Sequence, residues 1–116
     1  MAIPTCEIIP TNVEIYRGTT PTITVHLRNI DFDMSDIAIA QVTLEDDRGR
    51  NQKVFNNPTI DQENKTISIE LSQADTLSYD YGMLNLQIRI KLNSGRVAPT
   101  KIYSIKMGRT LNEEIL

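Results

Sequence analysis

Hydrophobic side chains recur at every second position through most of this chain, the spacing that lines them up on one face of a β-strand. The clearest run is 82–92, where Leu84, Leu86, Ile88, Ile90 and Leu92 alternate with Met83, Asn85, Gln87, Arg89 and Lys91. Five aliphatics on one side predict a central core strand. The same alternation sets Ile23, Val25 and Leu27 against Thr22, Thr24, His26 and Arg28, and Ala38, Ala40, Val42 and Leu44 against Ile39, Gln41, Thr43 and Glu45. It also sets Ile67, Ile69 and Leu71 against Thr66, Ser68 and Glu70. Shorter extended pieces are expected at Val13 and Ile15, from Gln52 through Val54 and Phe55, and at Ile60. A return strand carries Tyr103, Ile105 and Met107 on one face and Ile102, Ser104 and Lys106 on the other.

Turn residues punctuate these runs. Gly18, the stretch DDRGR at 46–50, Asn56-Asn57-Pro58, DQEN at 61–64 and NSGR at 93–96 all favour reversal of the chain. Pro99 has no amide to donate, so an edge or a bulge is expected at the start of the return strand. IDFDMSDI at 30–37 reads as an irregular connection. Ser72 stands three residues before Asp75 and approximates a capping box, which predicts one helical turn through Thr76 and Leu77 across the end of the sheets. About seven strands, short turns and one short helical turn give an all-β fold, a two-sheet antiparallel β-sandwich of immunoglobulin-like size. The paired cysteines and buried tryptophan of antibody domains are missing, and the pattern leaves strand order open. The expected division is an N-terminal arm over 1–11, the sandwich over 12–107 and a C-terminal tail over 108–116, where TLNEEIL is a last helical turn or a free tail.

Composition narrows the function. With 116 residues the chain is one domain. Its 12 Lys and Arg are scattered and its net charge is −3, so there is no positive field for a phosphate backbone and no nucleic-acid partner is expected. No run approaches the roughly 18 apolar residues of a membrane span. The N-terminus lacks the basic start and apolar stretch of a secretory signal, so synthesis in a cytoplasm is expected.

Candidate chemistry is thin. Cys6 would need His26 beside it to act as a nucleophile, and the favoured readings are a small hydrophobe on a terminal strand and a surface or interface histidine. One histidine and one cysteine make no zinc cluster. GxSxG, GxGxxG and GxxxxGK[ST] are all absent. Asp31, Asp33 and Asp36, then Asp46 and Asp47, depart from an EF-hand loop and read as solvated acids rather than calcium ligands. No catalytic residue, metal site or cofactor is assigned, and the residues by themselves reach an interaction or structural module.

A resemblance carries the reading further. Arg17, Gly18, Thr20 and Pro21 form an Arg-Gly-x-Thr-Pro opening, Leu71, Gln73, Thr76 and Leu77 a Leu-x-Gln-x-x-Thr-Leu turn, and Gly82 precedes a strand with Gln87 and Arg89. Over roughly residues 12–107 this pattern resembles a family of short proteins encoded in phages and prophages of Gram-positive and gut bacteria. The resemblance implies a β-sandwich virion component, capsid-attached, head-fibre or tail-associated, that is not an enzyme and resides in the virion. Its implied partners are other virion proteins and itself, with oligomeric assembly.

Two sets of residues are then candidates for contact. The terminal segments carry aliphatics with no evident place in a sandwich, so Ile3, Ile8, Ile9, Leu111, Ile115 and Leu116 are expected to order on neighbouring subunits. The alternative is a glycan-binding module for host attachment, with Tyr79 and Tyr81 of SYDYG as the sugar-stacking platform. The bland reading of that pair has one tyrosine plugging the sandwich end and the other at the surface.

Overall fold

A computed structural model describes residues 7–10, 14–49 and 51–116. Among these the elements run β1 (Glu7–Pro10), β2 (Glu14–Tyr16), β3 (Thr22–Arg28), β4 (Ile37–Asp46), β5 (Gln52–Phe55), β6 (Thr59–Asp61), β7 (Thr66–Glu70), α1 (Gln73–Leu77), β8 (Gly82–Leu92), β9 (Val97–Pro99) and β10 (Tyr103–Gly108). They form an immunoglobulin-like β-sandwich. The smaller sheet has the order β1-β3-β7-β6 and the larger β2-β10-β8-β4-β5, with β9 paired to β8. Every pairing is antiparallel except β2 with β10, which is parallel.

The core forms where the two inward faces meet. Ile23, Val25 and Leu27 from β3 and Ile67 and Ile69 from β7 pack with Val42 and Leu44 from β4, Leu84 to Ile90 at alternate positions of β8, and Ile105 and Met107 from β10. Burial of this apolar surface is the main favourable contribution to folding. β8 is the central strand, pairing with β4, β9 and β10.

Several departures from the expected pattern have local causes. There are ten strands among the described residues, where about seven were expected; the short piece at Ile60 is β6, and β1 and β9, four and three residues long, are the strands not anticipated. In β4 the register shifts between Ile37 and Ile39. That bulge turns Ala38 outward and lets Ile37 pack on the core, against the simple alternation. The irregular connection holds one 3-10 turn, Met34–Asp36, with Met34 buried, while Asp31 accepts both carboxylate contacts of Arg96 at 2.8 Å.

The largest departure concerns the N-terminal arm. β1 pairs with β3 from Glu7↔Arg28 to Pro10↔Val25, and Ile8 is 0% exposed in the core. Ile8 is therefore a sandwich residue and not a contact for a neighbour, because the edge of the smaller sheet has room for one more strand. Ile9, one position on, faces outward. Ile3 and Cys6 lie outside the described residues.

Pro99 interrupts the return strand as its missing amide requires, and the break is repaired by a buried side chain. Thr100 donates its amide to Ile88 O at 2.8 Å, and its hydroxyl accepts the Ile88 amide at 2.9 Å, standing in for a ladder carbonyl. Ile8→Ala is expected to lower unfolding stability by about 2–4 kcal/mol and Ile9→Ala by under about 0.5 kcal/mol, read from urea midpoints.

Candidate interaction surfaces

At one end of the sandwich, residues far apart in the chain converge on Arg17. It follows β2, where Gly18 takes φ +78° to turn toward β3, a conformation suited to glycine. The Arg17 Nε donates to Tyr79 O at 2.7 Å and Nη2 donates to Leu77 O at 3.0 Å, satisfying carbonyls at the end of α1. Beside it the Gly18 amide donates to Thr76 Oγ1 at 3.0 Å, and that fully buried hydroxyl donates to Thr19 O at 2.9 Å. The helical turn is closed at its other end by the expected capping box, with Asp75 N donating to Ser72 Oγ at 3.0 Å and Ser72 N to Asp75 Oδ2 at 2.9 Å.

The C-terminal tail returns to the same place. Thr110 Oγ1 donates to Arg17 O at 2.7 Å, Glu113 Oε2 lies 2.6 Å from Arg17 Nη1, and Leu116 N donates to Gln73 Oε1 at 2.9 Å. Its backbone is thus tied to its own domain and forms no helical turn. Leu111, Ile115 and Leu116 are nonetheless exposed, side chains out, on this strap.

The tyrosine pair does not form a platform. Tyr79 is 1% exposed, and its hydroxyl donates to Leu44 O at 3.3 Å, so it plugs the sandwich end and has no ring face for a sugar. Tyr81, 65% exposed, stands alone at the surface. Burial, with the carboxylates of Asp75 and Asp46 adding to it, pushes the Tyr79 phenol far above its usual range.

A second surface is the outer face of the larger sheet. Gln41, Thr43, Glu45, Gln52, Val54, Asn85, Gln87, Arg89 and Ile102 line a shallow depression of about 480 Å³ there. An adjoining hollow of about 370 Å³ lies among Ile39, Gln41, Arg89, Lys91 and Val97. The outward positions of this sheet are rich in Thr, Asn, Gln and Arg, a composition that from the sequence alone suits polar contacts with a partner. The signal present was the apolar residues at outward positions, Ile39 and Ile102.

His26 stands at the exposed register between Ile9 of β1 and Thr66 of β7. Among the described residues no three His, Cys, Asp or Glu side chains gather in a way that would hold a metal ion. No described helix is long and apolar enough to cross a membrane.

No protein-family model and no curated protein matches the chain. Solved structures do resemble it. A polysaccharide deacetylase from Bacillus cereus matches with a TM-score of 0.57 at 15% identity over 89% of this chain, which spans only 30% of that protein. A superoxide reductase (neelaredoxin) from Ignicoccus hospitalis gives 0.56 at 11% identity, covering 90% of this chain and 81% of that one. The Lin-41 filamin domain gives 0.51 at 17% identity, covering 90% and 93%. Likeness at these identities is one of fold, and hosts of unrelated function on one fold are ordinary.

Thr76→Val, nearly isosteric, leaves the Gly18 amide without its acceptor and is expected to cost about 1–3 kcal/mol, whereas Thr76→Ser is expected to retain most of the stability in thermal or urea unfolding. Asp75 gives a pH signature. Burial works to raise its pKa but is outweighed by the Lys53 ammonium 2.7 Å away and by the Ser72 amide and hydroxyl, so its carboxyl titrates below the ordinary value of 3.8. A depressed folded pKa contributes stability that is full above the unfolded value and disappears as pH falls through the folded one. Asp75→Asn should therefore destabilise by about 1 kcal/mol at neutral pH, with the difference from the native chain shrinking as pH drops below about 4.

Proposed function

We propose that this chain is a non-enzymatic structural module of a tailed-phage virion, capsid-attached, head-fibre or tail-associated, acting through protein–protein contacts with other virion proteins and with itself. The observation that carries the reading is the meeting of Arg17 and Gly18 with Thr76 and Leu77. These positions come from the two separate stretches on which the phage resemblance rests, and they form one hydrogen-bonded unit. Their joint presence in the sequence has one physical reason, which supports treating the shared pattern as the signature of one fold rather than as scattered coincidences.

Such a scaffold leaves its contacts to be made elsewhere. Ile9 on edge strand β1, and Leu111, Ile115 and Leu116 on the tethered tail, offer apolar side chains that the sandwich does not use. A virion protein that repeats one interface around a symmetry axis needs this division between a closed core and displayed contact residues. The glycan-binding alternative has lost its stacking pair, since Tyr79 is buried, and no observation favours it.

Mass spectrometry of purified particles from a host carrying the gene tests the assignment. The chain is expected as a stoichiometric component of intact virions, and its absence from them would overturn the reading. Replacing Leu111, Ile115 and Leu116 together by serine should leave the unfolding midpoint within about 0.5 kcal/mol of the native chain while removing the protein from particles.

A further inference from the structure

We propose that the outer face of the larger sheet is self-complementary and docks a second copy of this chain across a twofold axis. The register sets its side chains in rows. Thr43 lies between Val54 on β5 and Gln87 on β8, and Ile102, in the break between β9 and β10, borders the same depression beyond Gln87. This middle row is apolar at both ends and carries a hydroxyl and an amide between them. One row to one side lie Gln41 and Arg89, and one row to the other lie Glu45 and Asn85.

An axis lying in the interface along the middle row sets each strand over its own copy and reverses its direction. Val54 then meets Val54, and Ile102, 63% exposed, meets Ile102. Thr43 and Gln87 carry both donors and acceptors, so identical pairs can satisfy one another. The Gln41–Arg89 row of each copy faces the Glu45–Asn85 row of the other, with Arg89 over Asn85 and Gln41 over Glu45, so that each Arg89 guanidinium has the other copy's Glu45 carboxylate one strand spacing of about 4.8 Å to the side, within its reach. One row further out, Lys91, flanked by the half-exposed Ile39 and Val97, faces Met83 of the other copy, and Val97 lies over Lys106, which is paired with Glu14.

Charge decides the occupant. Arg89 donates to Gln41 Oε1 at 3.1 Å and has no carboxylate partner among the described residues, while Glu45 accepts from Gln52 at 3.3 Å and has no cationic one. Positive and negative ends on opposite sides of an apolar-ended row suit a partner with the same pattern reversed, as a twofold copy supplies. A polyanion would meet Glu45, and no aromatic ring lines the depression to stack on a sugar. Four strand columns at about 4.8 Å, three of them running about eight residue steps of about 3.4 Å and β5 four, cover roughly 450 Å² per copy, the size of a weak, transient interface and fitting for a reversible dimer.

Sedimentation velocity of the full chain from about 1 μM to 1 mM tests this. A concentration-dependent monomer–dimer equilibrium is expected, with Arg89→Glu and Glu45→Arg each weakening it by about tenfold or more and the double reversal restoring it to within about threefold. Thermal melts of each variant at a concentration where it is monomeric establish that folding is intact. A monomer at all concentrations, or a dimer indifferent to the reversals, overturns the proposal. So does a double reversal that fails to restore association. A dimer that ignores the reversals but is lost in the tail serine variant assigns association to the tail, overturning this interface and leaving the virion reading standing.

Discussion

The guanidinium of Arg17 is the point on which the end of this sandwich depends. α1 has five residues, too few to be stable in water alone, and leaves carbonyls that need donors. Arg17 supplies two, to Leu77 and Tyr79, in the fork geometry that lysine lacks. It stands after β2 in the larger sheet, whereas α1 follows β7 in the smaller one, so these bonds tie the sheets together where the core would otherwise open. Tyr79, held by the same contact, fills the space beneath. Glu113 then occupies the remaining side of the guanidinium and brings the chain's end back to the domain.

That arrangement explains why the parallel pair β2–β10 exists. Arg17 donates its amide to Gly108 O at 3.2 Å, extending the pairing of β2 past its last residue, and the ring of Tyr16 passes so near Gly108 that a Cβ there would lie 2.6 Å from it. The second and last strands are thus joined beside α1, and three segments remote in sequence share one hydrogen-bond network. Networks of this kind are costly when half satisfied. Removing the Thr76 hydroxyl would strand the partly buried Gly18 amide, whereas removing an aliphatic from the tail strands nothing.

Legibility in the sequence followed the range of the interactions involved. The capping box was readable because Ser72 and Asp75 are three residues apart and satisfy each other locally. β3, β7 and β8 were readable because burial on one face imposes period two on them directly. Ile8 was not, since whether an edge of the smaller sheet is open to a terminal strand depends on pairing with residues 25–28. Ala38 was missed for a related reason, as a bulge costs one residue of register and leaves composition untouched. Arg17 and Thr76 both belong to the shared pattern, but nothing in their spacing of 59 positions says that they meet.

The proposed association uses a face rather than an edge, in keeping with how the edges are built. β2 and β6 are three residues long, β5 carries Lys53 in an ion pair with Asp75, and β9 ends in a proline, all features that discourage open-ended strand addition. The outer face of β4 and β8 has the opposite character. It is broad and held in one register by a central strand with partners on both sides. Its charges sit at opposite ends. Edge pairing between such strands would be tolerant of register and prone to run on into fibres, but a face with Arg89 and Glu45 on either side of its middle row accepts a copy in one orientation and then closes. In the proposed role of repeating one contact in an assembly, that closure is the useful property: it sets the number of partners as well as their position.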